Sequence, residues 1–354
     1  MHCRELLVFA VSLLVISCSA PRDRYITFSG YAQGGTYTVK LNMNGREGMI
    51  KEKPEVIRDS VDLLLQAIEN SLSGYNKKSL LSRFNAGETI CPDSLFLDIY
   101  EKSYDFYIET EGVLDVASAP LFDVWGFGFK NGNMPDSAKI DDLLRTSGMK
   151  RLHRDMRKVS LLQGVVNAGD MLVSESEVLP ELNFNAVAQG YSCDVVARYL
   201  YSIGVKDMMV DIGEIFCDGV NPSGKRWAIG IDRPVDGNNE LGADVQGIFR
   251  MPEGPHGVVT SGNYRKFYVK DGKKYAHTID PRIGWPVDHN LLSATIVAPD
   301  ATAADAYATY CMVVGLEASK IFIESRKDIE GCLIYDKDGE FCTWCSAGFV
   351  LDEM

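Results

Sequence analysis

Positive charge is in short supply in this sequence. Among 354 residues, 36 Lys and Arg stand against 49 Asp and Glu, a formal net charge of -13. A chain of that sign lacks the cationic footprint of a general nucleic-acid binder. It leaves open local capture of a polyanion by backbone amides, helix ends or a divalent metal. Long hydrophobic runs are also scarce. After Leu6–Ile16 none is long enough to span a bilayer, and a mean hydropathy of -0.07 excludes a polytopic membrane protein. No fixed-period repeat appears, no linker rich in Pro, Gly or Ser divides the chain, and neither HExxH nor GxSxG occurs. What is there, 46% hydrophobic and 24% charged residues, is the composition of an ordinary globular body and excludes long disorder.

The first seventeen residues read as a signal, not as part of the fold. Arg4 gives a short charged start, Leu6–Ile16 is an apolar run of signal length, and Val15-Ile16-Ser17-Cys18 resembles the bacterial lipobox. That resemblance implies cleavage before Cys18 and acylation of its thiol and new N-terminus, with palmitate among the chains. Several acyl chains anchor stably where one is marginal. Residues 18–29 are then expected to be a lipidated tether and 30–354 one continuous domain. Its expected place is the bacterial cell envelope, outside the cytoplasm, on the periplasmic side.

In that setting the cysteines need an account. Cys91, Cys193, Cys217, Cys311, Cys332, Cys342 and Cys345 remain in the body, an odd number at irregular spacing. Cys342-Thr-Trp-Cys345 is the one CxxC. It lies in a strand-like tail, not at a strand-to-helix junction, and no second pair completes a zinc site. Buried thiols are the expectation, with a local disulfide at the CxxC as the alternative.

Apolar spacing predicts an amphipathic helix over Pro54–Leu72 and further helices over Leu95–Thr110, Ile140–Gly148, Ala188–Ile203 and Ala301–Val314. Tyr25–Asn42 reads as a hairpin around Gly34-Gly35. Strand-like runs follow at Lys158–Leu162, Asp207–Ile212, Trp227–Asp232, Val245–Met251 and Phe267–Val269. Others lie at Leu292–Val297, Gly331–Tyr335 and Glu340–Leu351. Helices set among many uneven strands predict an α+β fold with mixed or antiparallel sheets, not a doubly wound one.

Two glycine-rich stretches imitate nucleotide motifs. Gly219-Val-Asn-Pro-Ser-Gly224-Lys225-Arg226 has Arg226 where a P-loop needs a Mg²⁺-ligating hydroxyl, and a strand follows it. In Gly126-Phe-Gly128 the third glycine is displaced to Gly132, and no βαβ unit surrounds it.

The polar residues hardest to place in a core gather in a few clusters. They are Gln33-Gly-Gly-Thr36, Tyr75 to Asn85, Asp115 to Gly128, Asn183 to Tyr191, Thr260 to Pro286 and Asp300 to Thr309. Asp305 and Thr309 are four apart, so on a helix their oxygens share a face. Two hard oxygen donors suit Mg²⁺, and a solvated Asp with a back-bonding Thr would have the same spacing. His277 is placed either to work on a phosphate or acceptor proton or to bond a carbonyl at a strand end. Tyr75 offers an aromatic platform or covers the core. Ala117-Ser118-Ala119 has small side chains and amides suited to lying along a ligand, or to close packing.

Taken in order, these clusters resemble the FAD:protein FMN transferase (ApbE) family, from about Gly30 to the C-terminus. The most specific pieces are His277-Thr-Ile-Asp-Pro-Arg-Ile-Gly-Trp-Pro286 and Ala304-Asp305-Ala-Tyr-Ala-Thr309. Ser79-Leu-Leu-Ser-Arg-Phe-Asn85 and Ala188-Gln-Gly-Tyr-Ser-Cys-Asp194 add support. The resemblance implies that FAD is cleaved at its pyrophosphate with Mg²⁺, that FMN is joined to a threonine of a partner protein, and that AMP leaves. It puts Asp305, Thr309 and the Ala186 carbonyl on the metal, with His277 and Asp305 as the catalytic pair. It puts Gln33, Tyr75, Ala117, Ser118, Ala119, Asn183, Gln189 and His277 along the cofactor. The acceptors it implies are flavin-carrying subunits of membrane electron-transfer complexes. Asn183 stands where the family usually has Asp, Gln33 where it has Met, and Gln189 where it has Lys or Glu. Gly213 is single where two glycines usually precede the Glu. Two other readings stand beside transfer: an FAD pyrophosphatase giving FMN and AMP, and a non-catalytic lipoprotein that holds flavin.

Overall fold

A computed structural model of the chain describes residues 24–88, 90–129, 134–154, 172–174, 181–235, 242, 244–263, 267–270 and 273–353. The signal, Cys18 and the Lys158–Leu162 strand expectation lie outside the described residues.

In chain order the strands that build the body begin with β1 (Tyr25–Ala32), β2 (Gly35–Asn42), β3 (Met208–Asp211) and β4 (Ile215–Asp218). Next come β5 (Ala228–Asp232), β6 (Val245–Arg250), β7 (His256–Gly262) and β8 (Leu291–Ala298). The last are β9 (Glu330–Lys337), β10 (Glu340–Cys345) and β11 (Leu351–Glu353). Eight of them form one antiparallel sheet in the order β1-β2-β3-β4-β7-β8-β9-β10. A second, three-stranded sheet has the order β11-β6-β5.

The large sheet is covered on both faces, because its side chains alternate and both sets are apolar. Ile296, Ala298 and Leu333 join a core with the helices, while Val297, Cys332 and Ile334 meet Trp227, Phe249 and Phe349 on the side of the small sheet. The helical layer contains α1 (Pro54–Leu72), α2 (Leu80–Asn85) and α3 (Ser94–Glu109). After α4 (Ala119–Val124) and α5 (Ser137–Thr146) it is completed by α6 (Ala188–Ser202), α7 (Ala301–Val314) and α8 (Leu316–Glu324). A satellite core of Leu121, Trp125, Ile140 and Ile279 fastens α4 and α5 to the segment that follows His277.

The α+β expectation holds, and the bounds of α1 and α7 are those read from the sequence. The other helices and the Tyr25–Asn42 hairpin shift by a few residues or fewer. Strand β1 starts at Tyr25, so residues 25–29, assigned to the tether, pair with β2 instead. The Glu340–Leu351 strand splits in two at Ser346–Gly348, where Ser346 and Gly348 bond the Glu330 carboxylate. The P-loop imitation is a tight turn in which the Asn221 Oδ1 accepts from the Ser223 and Lys225 amides.

Candidate functional site

The site is assembled around the contact of α6 and α7. Gly190 makes that contact possible: a Cβ there would lie 2.1 Å from the Ala301 carbonyl oxygen and 2.9 Å from the Asp305 Cβ. The small side chains of Ala301, Ala304 and Ala308 keep α7 slim at the same level, and all are buried. The start of α7 is capped twice. Asp300 accepts from the Ala303 amide at 2.7 Å. Asp194, reaching from α6, accepts from the Ala301 and Thr302 amides at 2.9 Å each and from the Thr302 hydroxyl. Burial pushes the Asp194 carboxyl up to about 6, Asp300 adding to it, while the Thr302 and Ala301 donors oppose it.

Asp305 lies one turn into α7, buried, and accepts from the Gly190 backbone N–H at 3.1 Å. That N–H is the one that regular helix geometry would direct at the carbonyl four residues earlier, Ala186. Among the described residues no backbone N–H donates to the Ala186 carbonyl. Thr309 shows a parallel departure. Helical Ser103, Thr146 and Ser192 each bond the carbonyl four residues back. The Thr309 hydroxyl makes no such bond and has no hydrogen-bond partner among the described residues. A carboxylate, a hydroxyl and a carbonyl are therefore left with open oxygen lone pairs, all hard donors of the kind Mg²⁺ takes along with water and phosphate. Burial pushes the Asp305 carboxyl up to about 8, with the Gly190 bond opposing and Asp194 adding. A bound cation is what would return such a group to its charged form at neutral pH. All three donors are oxygens, so the donor chemistry fits a Mg²⁺ site completed by water and substrate phosphate.

Four segments converge on the start of α6. Asn183, buried, donates its backbone N–H to Val116 at 2.7 Å, which brings the Ala117–Ala119 stretch alongside. Its Oδ1 accepts from Asn185 N–H at 2.9 Å. Asn85, at the end of α2, holds this segment through paired 2.8 Å bonds to the Leu182 amide and carbonyl. Gln33 occupies the β1–β2 turn with φ of 52° and donates its amide to Ser192 on α6. Gln189 donates to the Ile212 carbonyl at 3.2 Å. It thereby braces the single-glycine turn at Gly213, whose φ is 91°.

Ala117 and Ser118 differ from the sequence expectation in one respect. Their amides are not free, because Asp115 takes the first on its carboxylate at 2.9 Å and the second on its carbonyl at 3.2 Å. Local bonds to the Asp115 side chain and backbone thus satisfy both amides within the turn.

His277 lies on a separate segment. It is half-buried, follows the Phe267–Lys270/Lys273–Ala276 hairpin, and meets Phe127 edge-on with ring centroids 6.4 Å apart. Beyond it, Asp280 and Arg282 pair through bonds of 2.9 and 2.7 Å, and Trp125 Nε1 donates to Gly284 at 2.9 Å. These contacts fix the Thr278–Pro286 turn as a brace, and the turn packs on α7 through Ile279–Asp280. Tyr75 is exposed and touches Phe129 edge-on at 5.1 Å, on the same loop that carries Phe127.

The structure thus gathers Gln33, Ala117–Ala119, Asn183, Ala186, Gln189, Asp305 and Thr309 about the α6–α7 contact. Tyr75 and His277 lie along the 125–129 loop. Sequence reasoning gave no role to Gly190, Asp194 or Asn85. A glycine and an aspartate inside a helical pattern were the available signals, and their partners lie about a hundred residues away.

Comparison with known proteins identifies the family of the chain. The family model described as ApbE matches residues 33–333. The chain is 32% identical over 354 residues to the FAD:protein FMN transferase of Vibrio cholerae serotype O1, covering 98% of each. It is 31% identical over 315 residues to that of Escherichia coli K12, covering 85% of this chain and 83% of the relative. Among solved structures it is similar to the flavin transferase ApbE from Vibrio cholerae, with a TM-score of 0.74 at 29% identity over 92% of this chain and 98% of that one. It is also similar to apo Pseudomonas stutzeri flavinyl transferase ApbE, with a TM-score of 0.76 at 28% identity over 93% and 96%.

Proposed function

The chain belongs to the ApbE family, and from that premise we propose the specific reaction its site carries out. Its activity is transfer of FMN from FAD to protein. We read the acceptor as a threonine hydroxyl and the metal as Mg²⁺. The observation that supports this is the trio of open oxygens at Asp305, Thr309 and Ala186, at a helix contact held by Gly190.

Mg²⁺ bound there would supply positive charge to the FAD pyrophosphate and its AMP leaving group. The chain does the rest. Asn183, Gln189 and Gln33 line the start of α6, where the flavin nucleotide would lie, and Tyr75 and Phe127 offer aromatic faces. His277 accepts the proton of the acceptor hydroxyl at an imidazole nitrogen as that oxygen bonds to the FMN phosphorus. The bond from that phosphorus to the AMP oxygen breaks, and AMP leaves. Asp305 and Thr309, on one helix face, would hold the metal together with the Ala186 carbonyl.

Incubation of the chain with FAD, Mg²⁺ and a threonine-bearing acceptor tests this reading. In-gel flavin fluorescence that follows the acceptor threonine is expected. FMN and AMP without acceptor labelling would make it a pyrophosphatase, and FAD binding without product would make it a carrier. Flavin-carrying subunits of membrane electron-transfer complexes are the partners we infer. The Val15–Cys18 pattern supports anchoring through acylated Cys18 at the cell envelope, outside the cytoplasm. An unmodified N-terminal peptide by mass spectrometry would refute the anchor.

A further inference from the structure

The tail of the sheet holds a second chemically distinct feature. Strands β9 and β10 are joined by a two-residue turn, Asp338-Gly339, with φ of 57° and 87°. Two positive φ values at Asp-Gly are the signature of a tight hairpin turn that fixes register. Lys337 therefore faces Glu340, and counting back along both strands sets Cys332 directly opposite Cys345. The two sulfurs are 3.0 Å apart, and both are free thiols.

The kind of pairing matters. Lys337 and Glu340 close the two-residue turn as a hydrogen-bonded pair, and the pair of Cys332 and Cys345 lies five steps down the ladder. One step further, the Ser346 N–H donates to the Gly331 carbonyl at 2.9 Å while the Gly331 N–H bonds the Ser346 hydroxyl at 2.9 Å. Pairs alternate along an antiparallel ladder, which makes Cys332 and Cys345 a non-hydrogen-bonded pair, with Cα atoms roughly 4.5 Å apart. That separation lies within the range that a disulfide spans. The CxxC partner is excluded by the same geometry. Cys342 and Cys345 are three apart on one strand and point to opposite faces, and Cys342 faces Tyr335. Cys217 shares the buried core with Cys332, but β4 is separated from β9 by β7 and β8. At the usual strand spacing that is roughly 14 Å.

We propose that Cys332 and Cys345 form a cross-strand disulfide. Cys332 is buried, whereas Cys345 is half-buried on β10, the edge strand of the large sheet, where a reagent can reach it. The oxidant is an external disulfide of a protein or peptide. The Cys345 thiolate attacks one of its sulfurs and releases the other half as a thiol. Cys332 then loses its proton and displaces the first half. The external disulfide is reduced to two thiols, and the cysteine pair gives up two electrons and two protons. The new bond closes the β9–β10 hairpin covalently. It fixes the strand from which the chain turns at Ser346–Gly348 toward Phe349, which stacks on Phe249 at 4.0 Å between the two sheets.

The full chain, purified without reductant and equilibrated with oxidised glutathione, is denatured in a maleimide and digested. A cross-linked peptide pair joining Cys332 to Cys345, lighter by two hydrogens and split by reductant, is expected. The cross-link should be lost in Cys345→Ser and kept in Cys342→Ser. Flavin transfer should continue in Cys345→Ser, because both cysteines belong to the core on the small-sheet side and not to the core shared with the helices. Full maleimide labelling of both cysteines in the wild type after equilibration, or a cross-link joining Cys342 to Cys345, would overturn the proposal. The wild-type peptide map decides the matter even where a variant fails to fold.

Discussion

A single methyl group at Gly190 tests the helix contact on which the site depends. A Cβ there would lie 2.1 Å from the Ala301 carbonyl oxygen, 2.6 Å from its carbon and 2.9 Å from the Asp305 Cβ. Ordinary contact begins at 3.4 Å. No rotamer relieves the clash, since the atoms are backbone or the first of a side chain, so α6 and α7 must separate by about 1 Å. Overpacking of this kind costs about 1–3 kcal/mol. Stretching the Gly190 N–H bond to a buried carboxyl adds to that, so Gly190→Ala is expected to lose about 3 kcal/mol of stability. The catalytic loss should be larger than the stability loss. Asp305 sits on one of the helices being separated and Ala186 in the turn that leads into the other, and a misplacement of about 1 Å is worth roughly 100-fold in rate. Urea unfolding measures the first quantity, and the flavin-transfer rate of the folded protein measures the second. Gly35→Ala is the control, because a Cβ there meets nothing within 4 Å. A Gly190→Ala protein with the wild-type unfolding midpoint and wild-type transfer rate would refute the reasoning.

Three further outcomes follow from particular contacts. Asp194→Ala removes the acceptor of two amides and a hydroxyl at the start of α7. It should cost about 1–3 kcal/mol in chemical denaturation; no change would mean that Asp300 alone caps the helix. Asn85→Ala breaks both bonds to the Leu182 backbone, so KM for FAD should rise several-fold with kcat little altered. A lost kcat at unchanged KM would contradict that placement. Burial pushes the Asp115 carboxyl up to about 6 despite its bonds to the Met149 and Ala117 amides. A carboxyl whose folded pKa is raised stabilises fully below its unfolded pKa, near 3.8, and loses that contribution as pH climbs through about 6. Relative to Asp115→Asn, the wild type should therefore weaken by up to about 3 kcal/mol between pH 4 and pH 7. A pH-independent difference between the two would refute the assignment.

The parts of this fold that could be read from the sequence are those where local chemistry and tertiary packing agree. Pro54 at the start of α1, Asp300 at the cap of α7 and Gly315 at its end mark boundaries that the structure keeps. Where length ran short, the pattern did too. Helix α4 has only six residues, and α8 follows α7 after Gly315 alone, so neither stands out as a separate period. Strands β4 and β7 were missed because four residues, or a run mixing Gly, Ser and Thr, carry little alternation. The candidate site residues stand out in the sequence as motifs, but the contacts that arrange them do not. That the Gly190 amide turns from Ala186 to Asp305, or that Asp194 caps a helix more than a hundred residues away, depends on helices the sequence does not show in contact. The Asp338-Gly339 turn is the opposite case. It was present in the sequence and would have set Cys332 against Cys345, had register been counted instead of cysteine spacing.

The most direct test of the central claim is a Mg²⁺ titration of flavin transfer to a threonine-bearing acceptor, run on the wild type and on Asp305→Ala with their folds compared by circular dichroism. Saturable dependence on Mg²⁺ in the wild type, abolished by chelation, is expected, together with at least a 100-fold loss in a normally folded Asp305→Ala protein, roughly the effect of removing one transition-state charge contact. Transfer that proceeds without divalent metal, or that survives in Asp305→Ala at the wild-type rate, would contradict it.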